Sequence, residues 1–438
     1  APLLFFGALY LYLYKLFLEK NTWGLAICLG LCMAAMLHSK YHGVLWIFFI
    51  LLSNLKLLLN PKFWLAGILG FICFFPHLYW QYSNDFPSFR YHLSGRDDKY
   101  VFKYTLNYLI NQLVIFSPFM IPFIFQSIRK WRPKNTFERS WPFLILGFWG
   151  LFLLLTLKGH AEPHWTALLS LVFVLLLYRS TNENLLNARW LKRMAWTTIG
   201  LIALARIFLF IPFKNLDSDF HKSTWITELK AEAQGLPILF MDSYRDPSKY
   251  AFYAKERAYT LTDVYYRKNQ FDLFDWEKEI HNQKVYIVGQ GELECQACLP
   301  LQLTNRGGKT YAIADSFQVT QNVWINYDLA VDTLQHNENY FFGVEIENPY
   351  PHTIQANTGN FPIHLCAVFI AEDESKHWIE LSYEEKDWPP GKNKVEVKLK
   401  MNRFMKAIGP TQVFIGVRTG DLFPAINSKG KSIFIKTS

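Results

Sequence analysis

Residues 63–80 read FWLAGILGFICFFPHLYW, a stretch without one charged side chain. A helix needs about 20 apolar residues to cross the hydrocarbon core of a bilayer, so this stretch predicts a membrane span. Runs of the same kind lie near residues 1–18, 22–38, 42–59, 104–127, 141–158, 162–178 and 193–213. Together they predict about eight transmembrane helices. After Phe213 charged and polar residues return at ordinary globular density, so the 438-residue chain divides near Lys214 into two unlike parts.

The loops give the spans a direction. Arg129, Lys130, Arg132, Lys134 and Arg139 follow the fifth run, and Arg179, Arg189, Lys192 and Arg193 follow the seventh. Short loops rich in Lys and Arg stay on the cytoplasmic side. The turns at residues 38–43 and 158–164, the loop at 81–103 and the whole tail then lie outside. The same loops account for the formal net charge of +9, which excludes nucleic acid as the partner to expect. The middles of the runs are mostly apolar; Asn107, Asn111 and Gln112 read as hydrogen-bonding links between helices, and Arg206 as a snorkelling or paired cation.

In the tail, residues 225–234 and 246–256 read as amphipathic helices, and 237–241 and 284–288 as buried strands. Beyond Ser316 the segments 340–346, 364–370, 394–400 and 411–417 alternate or are β-branched, which predicts a sandwich of Ig-like size. The expected architecture is therefore a polytopic all-α membrane domain (1–213), a small α/β domain (214–312) and a C-terminal β-sandwich (313–438). Cys28, Cys32 and Cys73 fall inside apolar runs, while Cys295 and Cys298 form a lone CxxC that reads as a local disulfide or two free thiols. The chain starts on Ala1 within an apolar run, without a basic leader or a cleavage site, and reads as an N-terminally truncated piece.

Three outer segments carry groups suited to phosphate or sugar: residues 38–43 (HSKYHG), 84–92 (NDFPSFRYH) and 158–165 (KGHAEPHW). A lysine at the end of two spans can pair with a lipid-linked phosphate, and Tyr or Trp at headgroup depth can stack on a sugar; the bland reading is a snorkelling lysine and an aromatic belt. His38 with His42 and His160 with His164 have i,i+4 spacing and would converge on a divalent metal if both stretches were helical, but Gly43 and Pro163 argue for turns. Glu162 beside a span needs a partner. Asp85, Asp97 and Asp98 are the other outer carboxylates, and Asp97-Asp98-Lys99 is not the DxD of a metal-bridged nucleotide-sugar site.

Taken in order, several segments resemble the GT-C glycosyltransferases, specifically the bacterial members of the dolichyl-phosphate-mannose protein mannosyltransferase and lipid A aminoarabinose transferase superfamily. Ala1-Pro2-Leu3-Leu4-Phe5-Phe6 is similar to the start of a middle span of that family. Ser39-Lys40-Tyr41-His42-Gly43-Val44-Leu45 resembles its Ser-Lys-Tyr-Thr-Gly-Val-Leu turn. His77-Leu78-Tyr79-Trp80-Gln81 with Ser88-Phe89-Arg90-Tyr91-His92 resembles its outer loop, and Glu162-Pro163-His164-Trp165 its Glu-Pro-Asn-Trp turn. Ser243-Tyr244, Tyr250-Ala251-Phe252-Tyr253 and Arg267-Lys268-Asn269-Gln270 extend the likeness to about residue 290.

The resemblance implies transfer of a sugar from a polyprenyl-phosphate donor to a lipid, glycan or protein acceptor at the periplasmic face of the bacterial inner membrane. It implies that Lys40 binds the donor phosphate and that Tyr41, His42, Asp85, Arg90, His92, Glu162, His164 and Trp165 line the substrate site. The family's catalytic Asp stands in the first outer loop and would lie upstream of Ala1. An O-antigen ligase or polymerase type of enzyme is the second reading, and a transporter or glycan-binding scaffold the third. No cofactor is called for beyond the divalent metal weighed above.

Overall fold

The structure, a computed structural model, describes residues 2–84, 86–89, 100–211, 224–289, 298–304, 306–401 and 409–436. The chain forms two compact units divided after Ile211.

The first unit is helical: α1 (Pro2–Lys20), α2 (Trp23–Ser39), α3 (Gly43–Ser53), α4 (Pro61–Ser83), α5 (Phe102–Ile115), α6 (Ile121–Lys130), α7 (Thr136–Leu155), α8 (Ser170–Asn182) and α9 (Ala188–Phe210). Among the described residues three helices, α1, α4 and α7, are long and apolar enough to cross a membrane. That is fewer than the eight clear spans expected, and local chemistry explains the difference. The fifth run breaks between α5 and α6 because Ser117 precedes Pro118, which disfavours helical backbone at the residue before it; Ser117 takes φ 65°. The third run ends as α3 at Ser53 and continues as a 3-10 turn, Leu55–Leu59. The seventh starts with two 3-10 turns, Pro163–Trp165 and Ala167–Leu169, before α8. α9 carries Arg189, Lys192, Arg193 and Arg206, and none of its described side chains is buried.

α2 and α4 run side by side with almost no side chain between them. A Cβ added at Gly30 would lie 2.6 Å from the Ala66 carbonyl oxygen, and one at Gly70 would lie 3.2 Å from that of Gly30. Small residues that allow backbones to touch are the usual basis of helix pairing in lipid, where burial of apolar surface gives little drive. Tyr10, Tyr14, Phe17, Trp46, Ile50, Phe148 and Phe152 fill the centre of the bundle. At one end Lys134 Nζ meets Glu183 Oε1 at 2.8 Å, and Arg179 Nε meets Glu138 Oε1 at 3.2 Å. The two Arg- and Lys-bearing loops, after α6 and after α8, therefore share one end of the bundle.

The second unit is strand-rich. After α10 (Thr224–Glu232) come β1 (Ile238–Met241), α11 (Arg245–Ala254), β2 (Tyr259–Leu261), β3 (Gln283–Val288), β4 (Leu299–Leu303) and β5 (Arg306–Phe317). They form a sheet of order β2-β1-β3-β5-β4, in which β1 is parallel to both neighbours and β5 antiparallel to both of its own. Nine further strands follow: β6 (Trp324–Tyr327), β7 (Thr333–Gln335), β8 (Asn339–Asn348), β9 (Ile363–Ala371), β10 (Lys376–Glu380), β11 (Ser382–Tyr383), β12 (Gly391–Lys400), β13 (Gly409–Thr419) and β14 (Lys431–Lys436). They make two sheets, β10-β9-β13-β14-β7 and β11-β12-β8-β6.

Residues 312 and 313, where the sequence reading divides the tail, lie inside β5. Leu239, Ile287 and Ala314 pack into the same core as Phe342, Phe361, Ile363 and Trp388. Lys309 of β5 donates to Asp246 Oδ2 at 3.0 Å and to the Gly289 carbonyl at 3.2 Å, pinning the start of α11 to the sheet. Cys298 is in a disulfide, the described Cys28, Cys32, Cys73 and Cys366 are free thiols, and Cys295 lies outside the described residues.

Two substitutions test this packing. Gly30→Ala forces α2 from α4 and is expected to cost about 1–3 kcal/mol, whereas Gly24→Ala, with nothing within 4 Å, is expected to be neutral or stabilising; detergent-phase thermal unfolding distinguishes them. In the second unit Lys309→Met removes the ammonium paired with the buried Asp246 carboxylate and is expected to cost about 3–5 kcal/mol, part of it recovered by adding Asp246→Leu.

Candidate functional site

α2 ends at Ser39, and Lys40 turns the chain in extended backbone, φ −171° and ψ 139°, with its N–H bonded to the Met36 carbonyl. Gly43 closes this turn, its N–H donating to the Lys40 carbonyl at 2.9 Å. A Cβ at Gly43 would stand 3.0 Å from the Met36 main chain, so the turn's tightness depends on glycine.

α4 supplies the facing wall. Gln81, fully buried, donates one amide hydrogen to Tyr41 Oη at 2.8 Å and the other to Ser88 Oγ at 2.9 Å, and its Oε1 accepts from the Ser88 N–H at 3.3 Å. Every polar atom of that amide is used, which fixes its orientation. Tyr41 Oη, which accepts from Gln81, is also hydrogen-bonded to His77 Nε2, 2.6 Å away. Phe74 and Phe89 flank the Tyr41 ring at 6.4 and 5.9 Å. A cleft of about 240 Å³ opens here, lined by Leu37, His38, Ser39, Lys40, Tyr41 and His77.

The 158–165 segment reaches the same place from α7 and α8. The His42 ring lies 5.3 Å from Trp165 and 5.4 Å from Phe152, and Phe152 and Trp165 are 5.4 Å apart, so three rings tie the two turns together. Glu162 begins the Pro163–Trp165 turn. Burial lowers the Lys40 ammonium below its ordinary value, and the negative charge of Glu162 offsets part of that. Thr166 fixes the turn from below: its hydroxyl donates to Gln112 Oε1 at 2.8 Å, an oxygen that also accepts from Trp149 Nε1 at 3.2 Å. Gln112 thus links helices as its place in an apolar run predicts.

The structure brings together Lys40, Tyr41, His42, Glu162 and Trp165; His164 is exposed in the same turn. Asp85, Arg90 and His92 lie outside the described residues. His38 and His42 do not converge: His38 Nε2 meets the Cys73 carbonyl at 3.2 Å, while His42 faces Phe152 and Trp165. Among the described residues no group of three or more His, Cys, Asp or Glu side chains is placed to hold a metal ion. His77 and Gln81 stand in the sequence only within the outer-loop motif, not among the expected site residues. Their signal is two polar groups at i,i+4 in an apolar helix, where each carries a solvation cost unless partnered.

Residues 1–80 match the sequence model of the dolichyl-phosphate-mannose-protein mannosyltransferase family. The matched stretch contains the Lys40 turn and His77, and it supports a GT-C-like membrane glycosyltransferase, an enzyme that moves a sugar between a donor and an acceptor. No curated protein matches the chain. Among solved structures, it is similar over 26% of its length to 30% of the DNA-bound alkylpurine DNA glycosylase AlkC of Pseudomonas fluorescens, at 8% identity and TM-score 0.19. It is similar over 27% to half of the sporulation control protein Spo0M of Bacillus subtilis (13% identity, TM-score 0.17), and over 34% to 22% of a beta-glucosidase of Listeria innocua (13%, TM-score 0.17). At those scores the overlaps carry no argument about fold or function.

Gln81→Leu removes one amide that serves Tyr41 and Ser88 together. It is expected to lower stability by about 1–3 kcal/mol through the polar groups left unserved, while Tyr79→Leu on the exposed side of α4 is expected to stay within about 0.5 kcal/mol. Thermal unfolding of both variants in one detergent checks the pair.

Proposed function

We propose that this protein transfers a sugar from a polyprenyl-phosphate donor to a lipid, glycan or protein acceptor, at the periplasmic face of a bacterial inner membrane, on a GT-C-type bundle. The observation that carries the reading is the meeting of Lys40 with Glu162 and of His42 with Trp165, at the end of α7 and α8 away from the Lys134–Glu183 and Arg179–Glu138 pairs. Loops rich in Lys and Arg favour the cytoplasmic side, so the opposite end opens outward.

Each residue then has a role set by its chemistry. Lys40 offers a compact cation to the donor phosphate, which leaves as polyprenyl phosphate when an acceptor hydroxyl displaces it at the anomeric carbon and gives its proton to the departing phosphate. Glu162 keeps that lysine charged where burial opposes charge. Trp165 and Tyr41 present ring faces and edges of the kind that stack on a sugar. His77 and Gln81 hold the Tyr41 hydroxyl in place beside the cleft.

Lys40→Ala and Glu162→Gln are each expected to lower product formation about a hundredfold or more, the scale of losing one preorganised charge contact in a transfer site. The measurement is glycan product per unit of expressed protein, in cells or in proteoliposomes supplied with polyprenyl-phosphate sugar. Unchanged product in both variants would be the result of a transporter or scaffold and would end the transferase reading.

A further inference from the structure

Two carboxyl groups meet at one edge of the parallel sheet in the second unit. β1 and β2 are adjacent and parallel, so the chain leaves both at the same edge, where Asp242 follows β1 and Asp263 follows β2. The Asp242 N–H donates to the Leu261 carbonyl and the Asp263 N–H to Asp242 Oδ1, both at 3.0 Å. Asp242 Oδ1 thus sits on the main chain of Asp263, which sets the two carboxyl groups side by side. Two carboxylates held this close repel each other when both are ionised, which favours keeping one proton on the pair. Asp263 is buried, and Asp242 holds left-handed backbone, φ 50°, which Asp tolerates better than most residues.

The loop that carries Asp263 is also where the parallel sheet is fastened to the sandwich. The Val264 N–H donates to the Pro424 carbonyl at 2.9 Å, and Lys376 Nζ of β10 donates to the Val264 carbonyl at 3.0 Å. Lys376 also lies over the Tyr265 ring at 5.4 Å, and that ring meets Phe423 edge-on at 4.8 Å. Asp263 Oδ1 in turn accepts from the Tyr265 N–H at 2.7 Å. One short loop is thus held by the carboxyl pair on one side and by the sandwich on the other. Lys376 is the cation acting on both carboxyls; Tyr244, Tyr266 and Asp272 are the other titratable groups around Asp242, with Arg267 beside Tyr266.

We propose that the Asp242–Asp263 pair is a proton-operated latch on this joint, closed while the two carboxyls share a proton and opened by its loss.

Burial and then the neighbouring Asp263 charge raise Asp242 from the ordinary 3.8 to about 7, and burial raises Asp263, with Lys376 pulling both down. A carboxyl whose folded-state pKa is raised contributes stability that is complete below the ordinary carboxylate range and is lost as pH rises through the raised value. The latch is therefore closed in mild acid and opens as pH climbs through about 7. Above that point two carboxylates face one ammonium, and the loop's bonds to Pro424 and Lys376 are the contacts at risk. The device is independent of sugar transfer in the first unit.

Hydrogen exchange of the full chain in lipid nanodiscs, corrected for intrinsic rates, tests it between about pH 5.5 and about pH 8.5. The expected result is exchange in residues 259–266 at least about tenfold faster at the upper pH, with β13 unchanged. Asp242→Asn, whose amide bonds a carboxylate without a shared proton, is expected to make that exchange independent of pH; Asp263→Asn serves the same purpose if the first variant misfolds. Flat exchange in the wild type, or the same pH dependence in a folded Asn variant, overturns the proposal.

Discussion

At Gly30 the backbone of α2 lies so close to that of α4 that one added methyl group would strike the Ala66 carbonyl oxygen. The rest of the candidate site depends on this contact. α2 and α4 run in the same direction, so fixing them at Gly30, Ala66 and Gly70 brings their far ends level: Lys40 and Tyr41 beyond one, His77 and Gln81 on the other. With the helices level, a 2.6 Å bond joins Tyr41 and His77 and a 2.8 Å bond runs from Gln81 to Tyr41. A bulkier pair of helices would separate these groups by more than a hydrogen bond can span.

The electrostatics follow from where that end lies. A lysine at the edge of an apolar bundle loses solvation, which disfavours its charge, and a carboxylate from another segment restores part of it. Glu162 is delivered by a turn that is neither helix nor strand, held from below by Thr166 on Gln112. The cation is thus partly buried, partly compensated and open to a cleft, a condition suited to a phosphate that must bind and later leave. A fully solvated lysine would hold the same phosphate weakly, and a fully neutralised one would gain little from it.

The broad architecture was legible in the sequence because charge-free runs and alternating runs are strong patterns: helices first, strands after. The number of spans was not, since length alone cannot register a break such as Ser117-Pro118 or the 3-10 turns that open the seventh run. The Lys40 and Glu162 turns stood out as polar clusters between apolar runs, and their meeting through His42, Phe152 and Trp165 is a tertiary fact that no local pattern contains. Gln81 was visible only as part of a motif. Its role needs Tyr41, His77 and Ser88 at once, drawn from separate segments of chain. The same holds for Asp242 and Asp263, ordinary loop acids until β1 and β2 place them side by side.

On the proposed function, the Lys40 cleft receives the phosphate of a lipid-linked donor. A polyprenyl phosphate bearing a photoreactive group next to its phosphate, applied to the protein in nanodiscs and mapped by mass spectrometry, measures this directly. Labelling is expected within residues 37–43 and 74–81, suppressed by excess unlabelled polyprenyl phosphate. Competable labelling confined to other helices would contradict it.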